Sequence, residues 1–218
     1  MKKIIFHPKV LPSVVIADPE LTVGMPPAIT AGTGMDAFAH CLEAFCAPSY
    51  HPMSAGIALE GMRLCKEYLP RAHADGSDIE ARAQMMAAAA MGAVAFQKGL
   101  GASQSVSHPV GAIYGTHHGT TNAVVMPMVL ELNRPAIAER LAHAGAYLGI
   151  SGGFDGVFRF VMELRKTLKI PENLTAMGVG GDRIDDLVAG ALQDPTAGSN
   201  PVRLTPENTR ALIEACLG

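Results

Sequence analysis

The sequence predicts an all-α fold, a bundle of about eight helices, with a short β remnant at its N-terminus. Three observations carry that expectation. From residue 26 onward apolar residues recur at helical spacing. Prolines and glycines fall between those stretches and punctuate them. The β-branched runs bounded by prolines lie within the first 18 residues.

Taken in order, "KIIF" (3–6) and "SVVIAD" (13–18) read as strands. Two strands cannot hold a sheet by themselves, so they form a local hairpin against the helices or belong to a sheet elsewhere. The first helix is expected over 26–47, between the Pro26–Pro27 pair and Pro48. The second is expected over 51–72, stopped near Pro70. The third runs over 78–98, opened by Ser77 or Asp78 and closed at Gly99. A glycine-rich segment with three histidines follows over 99–119. Helices are then expected over 120–133, 135–149, 154–169, 181–193 and 205–217, the last three set off by Pro171 and by "DPTAGSNP" (194–201). No repeat and no low-complexity linker interrupts the series.

Composition narrows the function. Of 218 residues 49% are hydrophobic and 17% charged, which supplies a sizeable core and excludes a disordered chain. A net charge of −3 without a basic run argues against nucleic acid as a partner. The longest apolar run, "MMAAAAMGAVAF" (85–96), is too short and alanine-rich for a bilayer, so no membrane partner is expected. "MKKIIFHPKVLP" has neither the hydrophobic region nor the cleavage site of a signal peptide. Cys41, Cys46, Cys65 and Cys216 show no CxxC spacing and read as buried reduced thiols, which fits a cytoplasmic protein.

The chemistry concentrates in two stretches. In "GMDAFAHCLEAF" (34–45), Asp36 and His40 stand at i and i+4 and share one face of an otherwise apolar helix. A buried carboxylate is costly unless paired or metal-bound. The pair is therefore a hydrogen-bonded Asp–His couple, an Asp that simply reaches solvent, or two ligands of one divalent ion. "GLGASQSVSHPVGAIYGTHHGTTNAVVMP" (99–127) adds His108, His117 and His118. His108 precedes Pro109, which reads as a first helical residue. Ten residues separate His108 from His118, so the two converge only if the chain turns near Gly115, as in a helix–turn–helix. Each histidine taken alone could equally cap a helix.

These two stretches, with "DPELTVGMPPAITAGTG" before the first and "DPTAGSNPVRLTPENTRALIEACLG" at the end, resemble the C-terminal domain of the iron-containing (group III) alcohol dehydrogenases over essentially the whole chain. The resemblance implies a dehydroquinate synthase-like α domain. It places a metal- and substrate-binding unit at 23–218 and remnant strands of a nucleotide-binding domain at 1–22. It implies Fe²⁺ or Zn²⁺ bound by Asp36, His40, the residue at 104 and His118, with hydride passing to NAD or NADP. His108 matches a histidine near nicotinamide and substrate, a proton relay; His117 matches no assigned role.

The chain departs from the family twice. Where the family has a histidine, Gln104 stands, a neutral and weaker ligand for a first-row metal. And no Gly-rich strand-to-helix turn with an acidic residue about 20 positions on is found; "GGFDG" (152–156) reads as a loop and cap. The nucleotide would be held by a domain outside these 218 residues, leaving the fragment inactive alone and its former domain contact apolar, prone to homo-oligomer formation. The expected substrate is a small, mostly apolar alcohol or aldehyde, near residues 36–51, 96–108 and 118, with Phe96 and Tyr114 as lining. A metal-independent reductase on the same scaffold and a non-catalytic helical interaction module are the alternatives.

Overall fold

The computed structural model describes residues 7–218. Among them are eight α-helices: α1 (Pro27–Cys46), α2 (Pro52–Ala74), α3 (Ile79–Ala95), α4 (Ala102–Tyr114), α5 (His118–Tyr147), α6 (Gly153–Thr167), α7 (Ile184–Gln193) and α8 (Pro206–Leu217). The expected strand over 13–18 is not formed. That stretch takes no regular secondary structure, and among the described residues there is no strand for it to pair with. The expected strand over 3–6 lies outside the described residues.

The helix count agrees with the sequence, but the division does not. The segment 99–119 carries α4, which begins seven residues ahead of Pro109, so Pro109 is interior rather than the first helical residue. The helices expected over 120–133 and 135–149 are one, α5, which runs through Pro127 and Pro135. Likewise α2 continues past Pro70. An interior proline costs a helix about 3 kcal/mol. The burial of Val124, Val125, Met126, Val129, Leu130, Ile137 and Leu141 along α5 offsets it.

The helices enclose two apolar cores. One gathers α1, α2, α3, α6 and α5 along most of its length around Phe38, Met62, Leu69 and Leu141. The other gathers α4, α7, α8 and the N-terminal half of α5 around Val106, Val125, Leu187 and Ile213. Helix α5 belongs to both, so the cores meet where α1, α4 and α5 converge. All four cysteines are buried and free. Burial pushes the thiols of Cys41, Cys46 and Cys216 up to about 12, and that of Cys65 in the same direction.

Two local features bring those three helices together. Gly119, in the first turn of α5, lies so close to α1 that a Cβ there would stand 2.1 Å from the Gly32 carbonyl oxygen. That approach puts Asp36 beside the start of α5. The N-terminus of α4 is capped by α1 itself: Gly101 N–H donates to Glu43 Oε2 at 2.9 Å and Ser103 N–H to Oε1 at 2.7 Å. Burial pushes the Glu43 carboxyl up, against the hydrogen bonds from Ser103 and Gly101. Asn200, locked to Asn133 by two reciprocal amide bonds, takes the intervening N–H of Ala102 at 3.0 Å.

Candidate functional site

Asp36 and His40 stand one turn apart on α1, as their spacing predicts, with His40 Nε2 3.7 Å from Asp36 Oδ1. Gly115, in the left-handed region at φ 69°, ends α4 and reverses the chain. The reversal returns His118 to the same spot, its Nε2 3.6 Å from the same oxygen. The side chains of Asp36, His40 and His118 are 23, 21 and 31% exposed, so they line an open cleft rather than the core. Phe96 stands edge-on to His40, ring centroids 5.3 Å apart. Tyr114 points elsewhere: its hydroxyl donates to the Gly180 carbonyl and reaches Asp182, away from this cluster.

Gln104 faces the cluster from α4. It is buried rather than set in an open cleft, and its Nε2 donates to Asp36 Oδ1 at 3.3 Å. Asn122, one turn beyond His118 on α5, donates to the same oxygen at 2.7 Å and approaches His118 Nε2 at 3.2 Å. The opposite atom of that amide, Oδ1, is buried without a hydrogen-bond partner in the protein. Asn122 was absent from the sequence-based set. The signal that singles out Asp36 and His40, a polar pair at i and i+4 on an apolar helix, also fits His118 and Asn122.

The tautomer of His118 follows from its neighbours. Ser107 Oγ donates to the Gln104 carbonyl at 3.1 Å, which leaves it to accept from His118 Nδ1 at 3.2 Å. The lone pair then sits on Nε2, the nitrogen turned toward Asp36. His108 stacks on His118, rings 5.2 Å apart and 19° from parallel. Its Nδ1 lies 2.6 Å from Asp194 Oδ2. Burial alone would raise the Asp194 carboxyl, but hydrogen bonds from His108 and Thr196 hold it below the usual carboxylate range. His117 caps α5, its Nδ1 accepting from Thr120 N–H at 3.2 Å; it takes the capping alternative.

Does this donor set fit a metal? One carboxylate and two imidazoles, separated by 3.6 and 3.7 Å, come near the edge of a tetrahedron with bonds of about 2.0–2.1 Å, an edge of about 3.4 Å. Ser107 turns the correct nitrogen of His118 inward, as a ligand histidine requires. The orphaned Asn122 oxygen is a further acceptor at the site. As arranged, however, no group of three or more His, Cys, Asp or Glu among the described residues is drawn close enough to hold an ion. Asn122 and Gln104 present N–H groups to Oδ1, one of the two Asp36 carboxylate oxygens. Asp36, His40 and His118 fit a divalent ion in kind; Gln104 would fit only with its amide reversed.

A family model described as "Fe-containing alcohol dehydrogenase family, C-terminal" matches residues 30–217. The chain is 42% identical to the 4-hydroxybutyrate dehydrogenase of Cupriavidus necator, over 98% of this chain and 58% of that protein. It is 38% identical to the NAD-dependent methanol dehydrogenase of Bacillus methanolicus, over 100% of this chain and 59% of that one. Among solved structures, a 1,3-propanediol oxidoreductase superposes with a TM-score of 0.88 at 31% identity, covering 92% of this chain and 55% of the other. The chain thus spans under three fifths of the length of these relatives. Among the described residues no helix is long and apolar enough to cross a membrane.

Proposed function

We propose, on the premise that the chain belongs to the Fe-containing alcohol dehydrogenase family and forms its C-terminal part, that it is the metal- and substrate-holding portion of a cytoplasmic oxidoreductase. The reaction is the interconversion of a small alcohol with its aldehyde or ketone, with NAD or NADP as hydride carrier. The observation that carries this reading is the convergence of Asp36, His40 and His118 from α1 and α5 on one oxygen. Those three residues would hold Fe²⁺ or Zn²⁺, with Gln104 as a weak fourth ligand through its amide oxygen. A divalent ion there supplies a Lewis acid for the alcohol oxygen. The stacking of His108 on His118 supports a role for His108 in taking up the hydroxyl proton. Phe96 supports a small apolar substrate beside His40. NAD as the carrier follows the Bacillus methanolicus relative, which is NAD-dependent.

A second reading is favoured by one specific contact set. Asp36 Oδ1 is satisfied by two amide donors, so the carboxylate is stable without a cation, as a metal-independent reductase on this scaffold would need. Elemental analysis of the chain loaded anaerobically with Fe²⁺, or with Zn²⁺, separates the two. The first reading expects one ion per chain, lost in Asp36→Ala because the anionic ligand is gone, with the helical circular dichroism unchanged. An unmodified chain that takes up no ion supports the second reading. An Asp36→Ala chain that keeps stoichiometric metal overturns the ligand set.

A further inference from the structure

His108 and Asp194 are 86 positions apart in sequence, yet their side chains are 8 and 9% exposed and meet at 2.6 Å. Asp194 lies between α7 and the short turn Pro195–Ser199, and that turn holds it rigidly. The Thr196 N–H donates to Asp194 Oδ1 at 2.9 Å and the Thr196 hydroxyl to the same oxygen at 2.6 Å. Both donors fall on one carboxylate oxygen, which leaves Oδ2 to His108 alone among the hydrogen bonds found here. A carboxylate can only accept, so the hydrogen in the 2.6 Å contact belongs to His108 Nδ1.

We propose that Asp194 is a positioning residue for His108: it fixes the imidazole as the Nδ1–H tautomer, stacked on His118, and so keeps the lone pair on Nε2. The inference rests on the reading of His108 as the group that takes up the substrate proton. A neutral imidazole with its hydrogen on Nε2 cannot accept a proton there, so the wrong tautomer would disable the residue without moving it. Asp194 is tied to His108 and Thr196, and it acts through His108. The turn "DPTAGSNP" thereby acquires a purpose beyond punctuation: Pro195 and Thr196 hold the carboxylate, and Asn200 anchors the turn to α5 and α4.

The donor pattern makes a sharp test possible. In Asp194→Asn the two Thr196 donors require an acceptor at the Oδ1 position, so the amide oxygen settles there and the NH₂ replaces Oδ2. It then donates to His108 Nδ1 and forces the hydrogen to Nε2. Long-range ¹H–¹⁵N correlation spectra of ¹⁵N-histidine-labelled chain, with the ring neutral and His108 assigned by loss of its signals in His108→Gln, read the tautomer directly. The unmodified chain should show Nδ1–H, Asp194→Asn should exchange the two nitrogens, and Asp194→Ala should lose the single-tautomer pattern. An Nε2–H His108 in the unmodified chain overturns the proposal, and needs no variant to fold. So does an unchanged tautomer in folded Asp194→Asn or Asp194→Ala. The readout needs neither bound metal nor turnover, so failure of the metal reading would leave this result standing, and the converse.

Discussion

Gln104 is the residue at which chemistry and family part. Its amide makes the longer of the two amide hydrogen bonds to Asp36 Oδ1, 3.3 Å against 2.7 Å from Asn122, and brings an N–H where a ligand lone pair is needed. Gln104→His restores a nitrogen donor to a site that already supplies a carboxylate and two imidazoles. Metal affinity should rise about tenfold or more, equivalent to about 1.4 kcal/mol, because Fe²⁺ and Zn²⁺ both favour imidazole over a neutral amide oxygen. Competition with a chromophoric chelator at one pH measures it for both proteins. Equal or weaker binding would show that position 104 serves Asp36 as a hydrogen-bond donor instead of serving the ion. The side chain is buried, so a fold cost accompanies the exchange and melting should be recorded alongside. At this scale Asp36, His40 and His118 were legible in the sequence because helical spacing or a glycine reversal brings them together. Asp194 and Glu43 were not. Asp194 sits 86 residues from its partner, and Glu43 reads as one more polar residue until α4 is seen to start against it.

Helix termini carry their own record of strain. α5 and α6 end in the same way: Ile150 N–H returns to the Gly145 carbonyl at 2.7 Å, and Ile170 N–H to the Arg165 carbonyl at 2.9 Å. Each motif needs a left-handed residue just before that N–H. In α5 it is Gly149 at φ 68°; in α6 it is Lys169 at φ 56°. An L-residue pays about 1–2 kcal/mol for that conformation, and glycine recovers most of it, less the entropy it loses on folding. Lys169 is exposed, so its side chain gives little in return. Lys169→Gly should therefore stabilise the chain by about 0.5–1 kcal/mol, seen as a rise in melting temperature of about 1–4 °C. A neutral or destabilising result would mean that the Lys169 side chain makes a compensating contact. The existence of the helices was legible because their apolar period is long and strong. Their boundaries were not, since Pro109 and Pro135 read as breaks, whereas burial on both sides of α4 and α5 carries the helix through them.

At the scale of the molecule, the cleft forms where two cores share α5, and what lies outside both is as telling. Residues 13–18 form no helix or strand, with Val14 and Val15 74% exposed and Ile16 85%, while Val10, Leu11 and Leu21 are likewise bare. Apolar side chains left bare along such a segment offer a surface on which another copy of the chain can pack. The sequence marked this stretch as a strand correctly in chemistry, from its β-branched residues, and wrongly in outcome, because a strand needs a neighbour that no propensity can supply. Such a segment should drive self-association of the chain. Replacing Val14 and Ile16 together by Lys puts charge on one face of the segment without touching a helix or the cluster at Asp36. Sedimentation velocity over a range of concentrations should then show the double variant shifted toward monomer relative to the unmodified chain, with identical helical circular dichroism. Unchanged association would place the self-contact on the helical body, and the exposed segment would have to be covered in some other way.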